Sequence, residues 1–125
     1  MSVCGGIAHA DGVAVIYYGM KINEIPDRVH FVGIGGVGQS ALALHLVGTG
    51  RKVSGSDRQA SDVTDKLRQN GVCVHIGHDA ANVGNAQLVV RTSAVGCDNV
   101  EVAQAIRQGV PVVLREELLL SLIHI

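Results

Sequence analysis

The chain has 125 residues, 47% hydrophobic and 17% charged, with 16 glycines, the size and composition of one compact soluble domain. Its formal net charge is -1 and its charges are scattered, so no basic field exists to hold DNA or RNA. Tryptophan is absent and Tyr17, Tyr18 and Phe31 are the only aromatics, which removes the stacking platforms of single-strand binders as well.

Residues 1–19 carry a short apolar run, Val13 to Tyr18, which is too short to span a bilayer, and they lack the basic region and cleavage pattern of a signal peptide. The expectation is a cytoplasmic chain with no membrane association. The segment Met20-Lys21-Ile22-Asn23 resembles a natural protein start, so residues 1–19 are expected to be an unassigned extension, either an upstream segment or a non-native one, ahead of a domain over 20–119. From Val29 onward, short β-branched runs alternate with stretches of helical spacing, the pattern of βαβ units. The strands are predicted at 29–34, 52–56, 73–76, 88–92 and 111–114, and the helices at 37–47, 62–69 and 100–107, with another beginning near Arg115. The fold class is therefore α/β: Rossmann-like, a mostly parallel sheet of about five strands with helices on both faces.

The punctuation supports these boundaries. Gly50, Gly71 and Gly109 each stand between a helical stretch and the next strand, where a left-handed cap favours glycine. Asp98 followed by Glu101 predicts a capping box. Leu42 with Leu46, Val63 with Leu67, and Val102 with Ile106 are spaced four apart and predict the helical faces that meet the sheet. Cys4, Cys73 and Cys97 form neither a CxxC pair nor a zinc pattern and read as buried thiols in a reducing compartment; no metal site is expected.

The run Val29-His30-Phe31-Val32-Gly33-Ile34-Gly35-Gly36-Val37-Gly38 places G-x-G-x-x-G between a strand and a helix. Gly33 permits the tight turn, Gly35 lets the backbone approach a pyrophosphate, and Gly38 lets the helix pack closely on the strand. The phosphate charge is met by free N–H groups and the positive end of the helix dipole. No GK[ST] sequence occurs, which separates the loop from a P-loop. Asp57 lies 19 residues beyond Gly38 at the end of Val53-Ser54-Gly55-Ser56-Asp57, near where a Rossmann acid meets a ribose hydroxyl; the alternative is a turn or helix-capping aspartate before Ser61 and Asp62. On these features alone the ligand is a dinucleotide.

Further motifs change that expectation: Ile76-Gly77-His78-Asp79, Thr92-Ser93-Ala94-Val95 and Val110-Pro111-Val112-Val113-Leu114-Arg115. With the glycine loop and the Asp57 segment, in this order over about ninety residues, they resemble the N-terminal domain of the Mur ligase family of peptidoglycan synthesis, and within it the branch that joins UDP-N-acetylmuramate to L-alanine. The resemblance implies a UDP-sugar in place of a dinucleotide. Gly33, Ile34, Gly35, Gly36, Val37 and Gly38 would hold its diphosphate. Asp57 and His78 would lie near the uridine, Thr92, Ser93 and Ala94 would line the same crevice, and Arg115 would reach a phosphate or the sugar's carboxylate. Each has a structural alternative: His78 bonding its turn, Thr92 and Ser93 capping a strand end, Arg115 pairing with Glu116 or Glu117. His75 reads as structural. Gln39 stands where the family usually has methionine, and Val100 where it usually has proline.

In this family ATP phosphorylates the muramic carboxylate and the alanine amine attacks the acyl phosphate. The resemblance places ATP and Mg, with the alanine, in central and C-terminal domains absent from this chain. Residues 1–125 are thus expected to bind no cofactor, to bind UDP-N-acetylmuramate weakly or not at all, and to show no ligase turnover. Residues 120–125 read as a truncated or non-native tail. The rival readings are a nicotinamide-nucleotide-sensing regulatory domain and the related ligase that attaches a recovered tripeptide to UDP-N-acetylmuramate.

Overall fold

A computed structural model describes residues 25–96 and 98–118; the predicted extension, the tail, Cys4 and Cys97 lie outside them. In chain order the elements are β1 (Arg28–Val32), α1 (Val37–Gly48), β2 (Lys52–Asp57), α2 (Asp62–Gln69), β3 (Cys73–Ile76), a 3-10 turn (Ala80–Val83), β4 (Leu88–Arg91), α3 (Val100–Gln108) and β5 (Val112–Leu114). The strands form one five-stranded sheet in the order β3-β2-β1-β4-β5. Every pairing is parallel, with Val29 opposite both Val53 and Leu88. The α/β, Rossmann-like expectation holds.

Alternation along the central strands assigns the two faces. Val29 and Phe31 of β1, with Val53, Val74, Leu88 and Val90, pack against Leu42, Ala43 and Leu46 of α1 and Leu67 of α2. The opposite face carries Val32, Val89 and Val112 under Val83 of the 3-10 turn and Val102 and Ala105 of α3. Helices thus cover both faces, as a parallel sheet buried on both sides requires.

Two of the predicted helical faces are corrected. Leu42 and Leu46 are buried as a pair, but Val63 and Ile106 are exposed, and Thr64 and Ala105 take the inward positions beside Leu67 and Val102. Thr64 is buried without penalty because its hydroxyl donates to the Ser61 carbonyl and accepts from the Ser61 N–H. Ser61 in turn caps α2 by accepting from the Thr64 N–H, a capping box absent from the sequence reading. The cap of α3 also moves by one residue. Asn99, not Asp98, accepts from the N–H groups of Glu101 and Val102, because the Glu101 side chain is turned into the core and cannot close the predicted box. Gly50, Gly71 and Gly109 all have positive φ, as their places after the helices predict. Cys73, expected to be buried, is exposed at the edge strand β3.

Gly55 is buried in β2, and a Cβ there would fall inside the Ile34 side chain. Ile34 folds back over β2 because the N–H groups of Gly33 and Ile34 both donate to the Ser56 carbonyl, at 2.8 and 2.9 Å. Gly55→Ala is therefore expected to destabilise the domain by about 1–3 kcal/mol through overpacking, read as a lower urea midpoint at unchanged m-value. An unchanged midpoint would show that Ile34 has room to withdraw.

Candidate functional site

The chain passes outward from β1 to β2 and β3, then crosses back to β4 on the other side of β1. Such a reversal leaves a crevice beyond the carboxyl ends of the two central strands, where ligands bind in open α/β sheets. Here its walls are the loop after β1, residues 33–36, and the loop after β4, residues 92–96. They adjoin: a Cβ on Gly33 would stand 3.9 Å from Cγ2 of Val95. Gly33 has φ +79, a left-handed turn that suits glycine.

All the sequence-predicted site residues fall at this end of the sheet. Gly33–Gly38 follow β1, Asp57 ends β2, His78 follows β3, Thr92–Ala94 follow β4, and Arg115 follows β5. Arg115 reaches the last glycine of the motif. Its guanidinium packs over Gly38, where a Cβ would meet Nη1, Cζ and Nε at 2.6–2.8 Å. Gly38 thus makes room for a cation above the start of α1 as well as for the helix itself. Arg115 also lies 3.9 Å from Glu116 Oε2, an exposed contact of little energetic weight. Thr92 is half-buried while Ser93 and Ala94 are exposed. The Thr92 carbonyl is drawn into the loop, accepting from the Val95 N–H at 3.0 Å and from Arg91 Nη1.

The amides of the glycine loop divide into two sets. Gly33 and Ile34 donate to the Ser56 carbonyl, Gly36 donates to the Gly33 carbonyl, and Gly35 donates to Asp57 Oδ2 at 2.8 Å. The first N–H groups of α1, on Val37, Gly38 and Gln39, have no partner among the described residues, and the Gly36 cap supplies no side-chain bond. These three groups stand at the positive end of a 12-residue helix. The Val37 side chain above them is 89% exposed. The amides left open at the end of the motif are thus those of Val37, Gly38 and Gln39, while residues 33–36 build the turn. Asp57 serves that turn: besides Gly35 it accepts from the Gln59 N–H.

The largest surprise lies beside the crevice, under α3. Glu101 is fully buried, and its carboxylate gathers four donors from β1, β2 and the capped 3-10 turn. Oε1 accepts from His30 Nε2 at 2.6 Å and from the Ser56 hydroxyl at 2.7 Å. Oε2 accepts from the Asp79 N–H at 3.1 Å and from Asn82 Nδ2 at 2.9 Å. His30, itself buried, spans onward to the Ser54 hydroxyl at 2.8 Å. Burial pushes the Glu101 carboxyl up, but the hydrogen bonds from His30, Ser56 and Asn82 and the attraction of His30 outweigh it. The pKa is lowered from 4.5 to about 2.

A carboxyl whose pKa falls on folding stabilises the folded state above its unfolded value and loses that contribution as pH drops. The Glu101 contribution, about 3 kcal/mol, is expected to be complete above pH 4.5 and to be lost towards pH 2. Urea midpoints measured from pH 7 downward should fall more steeply for the parent chain than for Glu101→Gln. Parallel profiles would contradict the assignment.

Sequence reasoning missed this network. A signal was present: His30, Ser54 and Ser56 alternate along neighbouring central strands and share one sheet face, where apolar residues are the norm. A separate cavity of about 300 Å3 lies at the opposite, amino-terminal end of the sheet, lined by Arg28, Lys52, Ser54, Cys73, His75 and Asn82 among others. None of the predicted site residues reaches it.

Residues 28–124 match the profile of the Mur ligase family, catalytic domain. The chain belongs to the Mur ligase family. This Mur ligase chain is 50% identical over 93 residues to a UDP-N-acetylmuramate--L-alanine ligase of Chlorobium luteolum, covering 74% of the chain and 20% of that protein. It is 47% identical over 104 residues to the like-named enzyme of Burkholderia ambifaria, covering 83% and 22%. Among solved structures, the UDP-N-acetylmuramate-alanine ligase of Thermotoga maritima superposes with a TM-score of 0.71 at 39% identity, covering 74% of the chain and 21% of that protein. A murein peptide ligase of Psychrobacter arcticus gives 0.65 at 26%, covering 70% and 18%. The Mur ligase chain therefore spans about a fifth of the length of the relatives it matches.

Among the described residues no group of three or more His, Cys, Asp or Glu is placed to hold a metal ion, and no helix is long and apolar enough to cross a membrane.

Proposed function

We propose that this chain is the nucleotide-sugar-binding part of a cytoplasmic Mur ligase that joins the lactyl carboxylate of UDP-N-acetylmuramate to L-alanine. The observation that carries the reading is the convergence at one end of the sheet of three open helix N–H groups, on Val37, Gly38 and Gln39, with the Arg115 guanidinium over Gly38. Helix amides and an arginine together meet the charge and geometry of a diphosphate. The crevice continues from there towards Thr92, Ser93 and Ala94, where hydroxyl and backbone groups suit a sugar. Asp57 and His78, at the ends of β2 and β3, are assigned to the uridine side.

The alanine branch is favoured over the tripeptide branch by the relatives' identities, 39% against 26% for the two structures above. ATP, Mg2+ and the amino acid are assigned to parts of the enzyme beyond this chain. No step through them is derived from its residues.

A thermal-shift titration with UDP-N-acetylmuramate, UDP, NAD and NADP tests the reading, since a ligand that binds only the folded state raises the melting temperature. Stabilisation by the two uridine nucleotides, larger for the sugar, is the expected result. Stabilisation by NAD or NADP and by neither uridine nucleotide would replace the reading with a dinucleotide-sensing one.

A further inference from the structure

The buried carboxylate of Glu101 reaches His78, just past the carboxyl end of β3, through one hydroxyl. Ser56 Oγ stands between Glu101 Oε1, at 2.7 Å, and His78 Nδ1, at 2.9 Å. An ionised carboxylate accepts only, and the two oxygens of Glu101 already receive His30, Ser56, the Asp79 N–H and Asn82, which fills the roughly four lone-pair sites of such a group. His78 Nδ1 is 3.5 Å from Oε2, a charge contact beyond the range of a strong hydrogen bond.

A serine hydroxyl has one hydrogen. It goes to Glu101, so Ser56 meets His78 with a lone pair and must accept from Nδ1. Nδ1 therefore carries a proton, and in the neutral ring Nε2 carries none. Nε2 has no partner among the described residues, and it is absent from the buried unpartnered atoms, of which Gln39 Oε1 is the one found there. The His78 side chain is 20% exposed. An acceptor nitrogen thus opens to solvent just past the carboxyl end of β3, on the side of the crevice assigned above to the uridine.

We propose that Glu101, acting through Ser56, fixes the tautomer of His78 so that Nε2 is presented as a hydrogen-bond acceptor, and that this acceptor selects a base bearing an imide N–H, as uracil does. Glu101 and Ser56 are positioning residues in this scheme, and His78 alone touches the ligand. The ligand half rests on the nucleotide-sugar reading; the tautomer half does not. The partner of one ring nitrogen thereby decides what the other can do.

The test joins a spectroscopic and a binding measurement on the same chain. Nitrogen-15 NMR of the ligand-free protein at alkaline pH should show Nδ1 protonated and Nε2 with the shift of an unprotonated ring nitrogen. Ser56→Ala should move His78 to a mixture of tautomers and weaken UDP about tenfold, the scale of one hydrogen bond, with inorganic pyrophosphate unaffected. His78→Phe, at a partly exposed position that tolerates change, should weaken UDP to the same degree and again leave pyrophosphate unaffected, should Ser56→Ala fail to fold. A protonated Nε2 in the parent protein overturns the proposal. The expected tautomer with UDP affinity unchanged in both variants overturns its recognition half. Binding of pyrophosphate with none of UDP in the parent overturns the nucleotide-sugar reading while leaving the tautomer assignment standing.

Discussion

Glu101→Leu is expected to destabilise the domain by about 3–5 kcal/mol, the usual cost of removing one member of a buried charged cluster. The cost comes from what remains. His30 Nε2, the Ser56 hydroxyl, Asn82 Nδ2 and the Asp79 N–H all donate to this one carboxylate, and leucine offers none of them an acceptor. Glu101→Gln keeps one oxygen and should cost less, because its amide NH2 faces donors on one side only. Urea denaturation at pH 7 measures both. A leucine variant within about 1 kcal/mol of the parent would show that apolar filling replaces the network without loss, as happens for some buried ion clusters.

The second large effect is on binding and separates it from folding. Gly38→Ala places a methyl where the Arg115 guanidinium now lies, 2.6–2.8 Å away. Gly38 is the second residue of α1 and its φ is not positive, so alanine suits the helix and is worth up to about 1 kcal/mol there. The contacted group is the end of a flexible side chain, which can swing away. Stability should therefore stay within about 1 kcal/mol of the parent, while affinity for UDP-N-acetylmuramate falls about ten- to a hundredfold through loss of a charge-assisted contact. Gly35 is less informative. A side chain there would meet Asp57 Oδ2 at 2.5 Å and break the Gly35–Asp57 bond that shapes the turn, so Gly35→Leu disturbs loop and ligand together. Calorimetric titration beside a melting curve distinguishes the cases. A Gly38→Ala variant that binds as tightly as the parent would remove Arg115 from the site.

Most of the architecture was legible because parallel strands and their helices obey local rules. Leu88–Val90 and Val112–Leu114 are continuous apolar runs, Val29–Val32 is one broken only by His30, and glycines at 50, 71 and 109 mark where each helix must reverse. The misread cap of α3 has a physical cause: neighbours distant in sequence took Glu101 for another purpose. Glu101 has a capping-box place relative to Asp98, yet the donors gathered by His30 and Ser56, 71 and 45 residues away, outbid a local backbone bond. Val63 and Ile106 have core spacing, but α2 and α3 turn Thr64 and Ala105 inward in their place. Of the candidate site, the residue identities and their common edge were visible in the sequence. Which amides remain open was not, because it depends on Ser56 and Asp57 of β2 capturing those of Gly33, Ile34 and Gly35.

The central claim is that the start of α1 receives a diphosphate. It is tested most directly by following the backbone amides of the nitrogen-15-labelled chain during titration with UDP-N-acetylmuramate. The predicted result is large shifts at Val37, Gly38 and Gln39, smaller ones at Thr92, Ser93 and Ala94, and quiet amides at Arg28, Lys52 and Cys73 at the other end of the sheet. Shifts confined to that far end, or none at Val37 to Gln39 under saturating ligand, would contradict it.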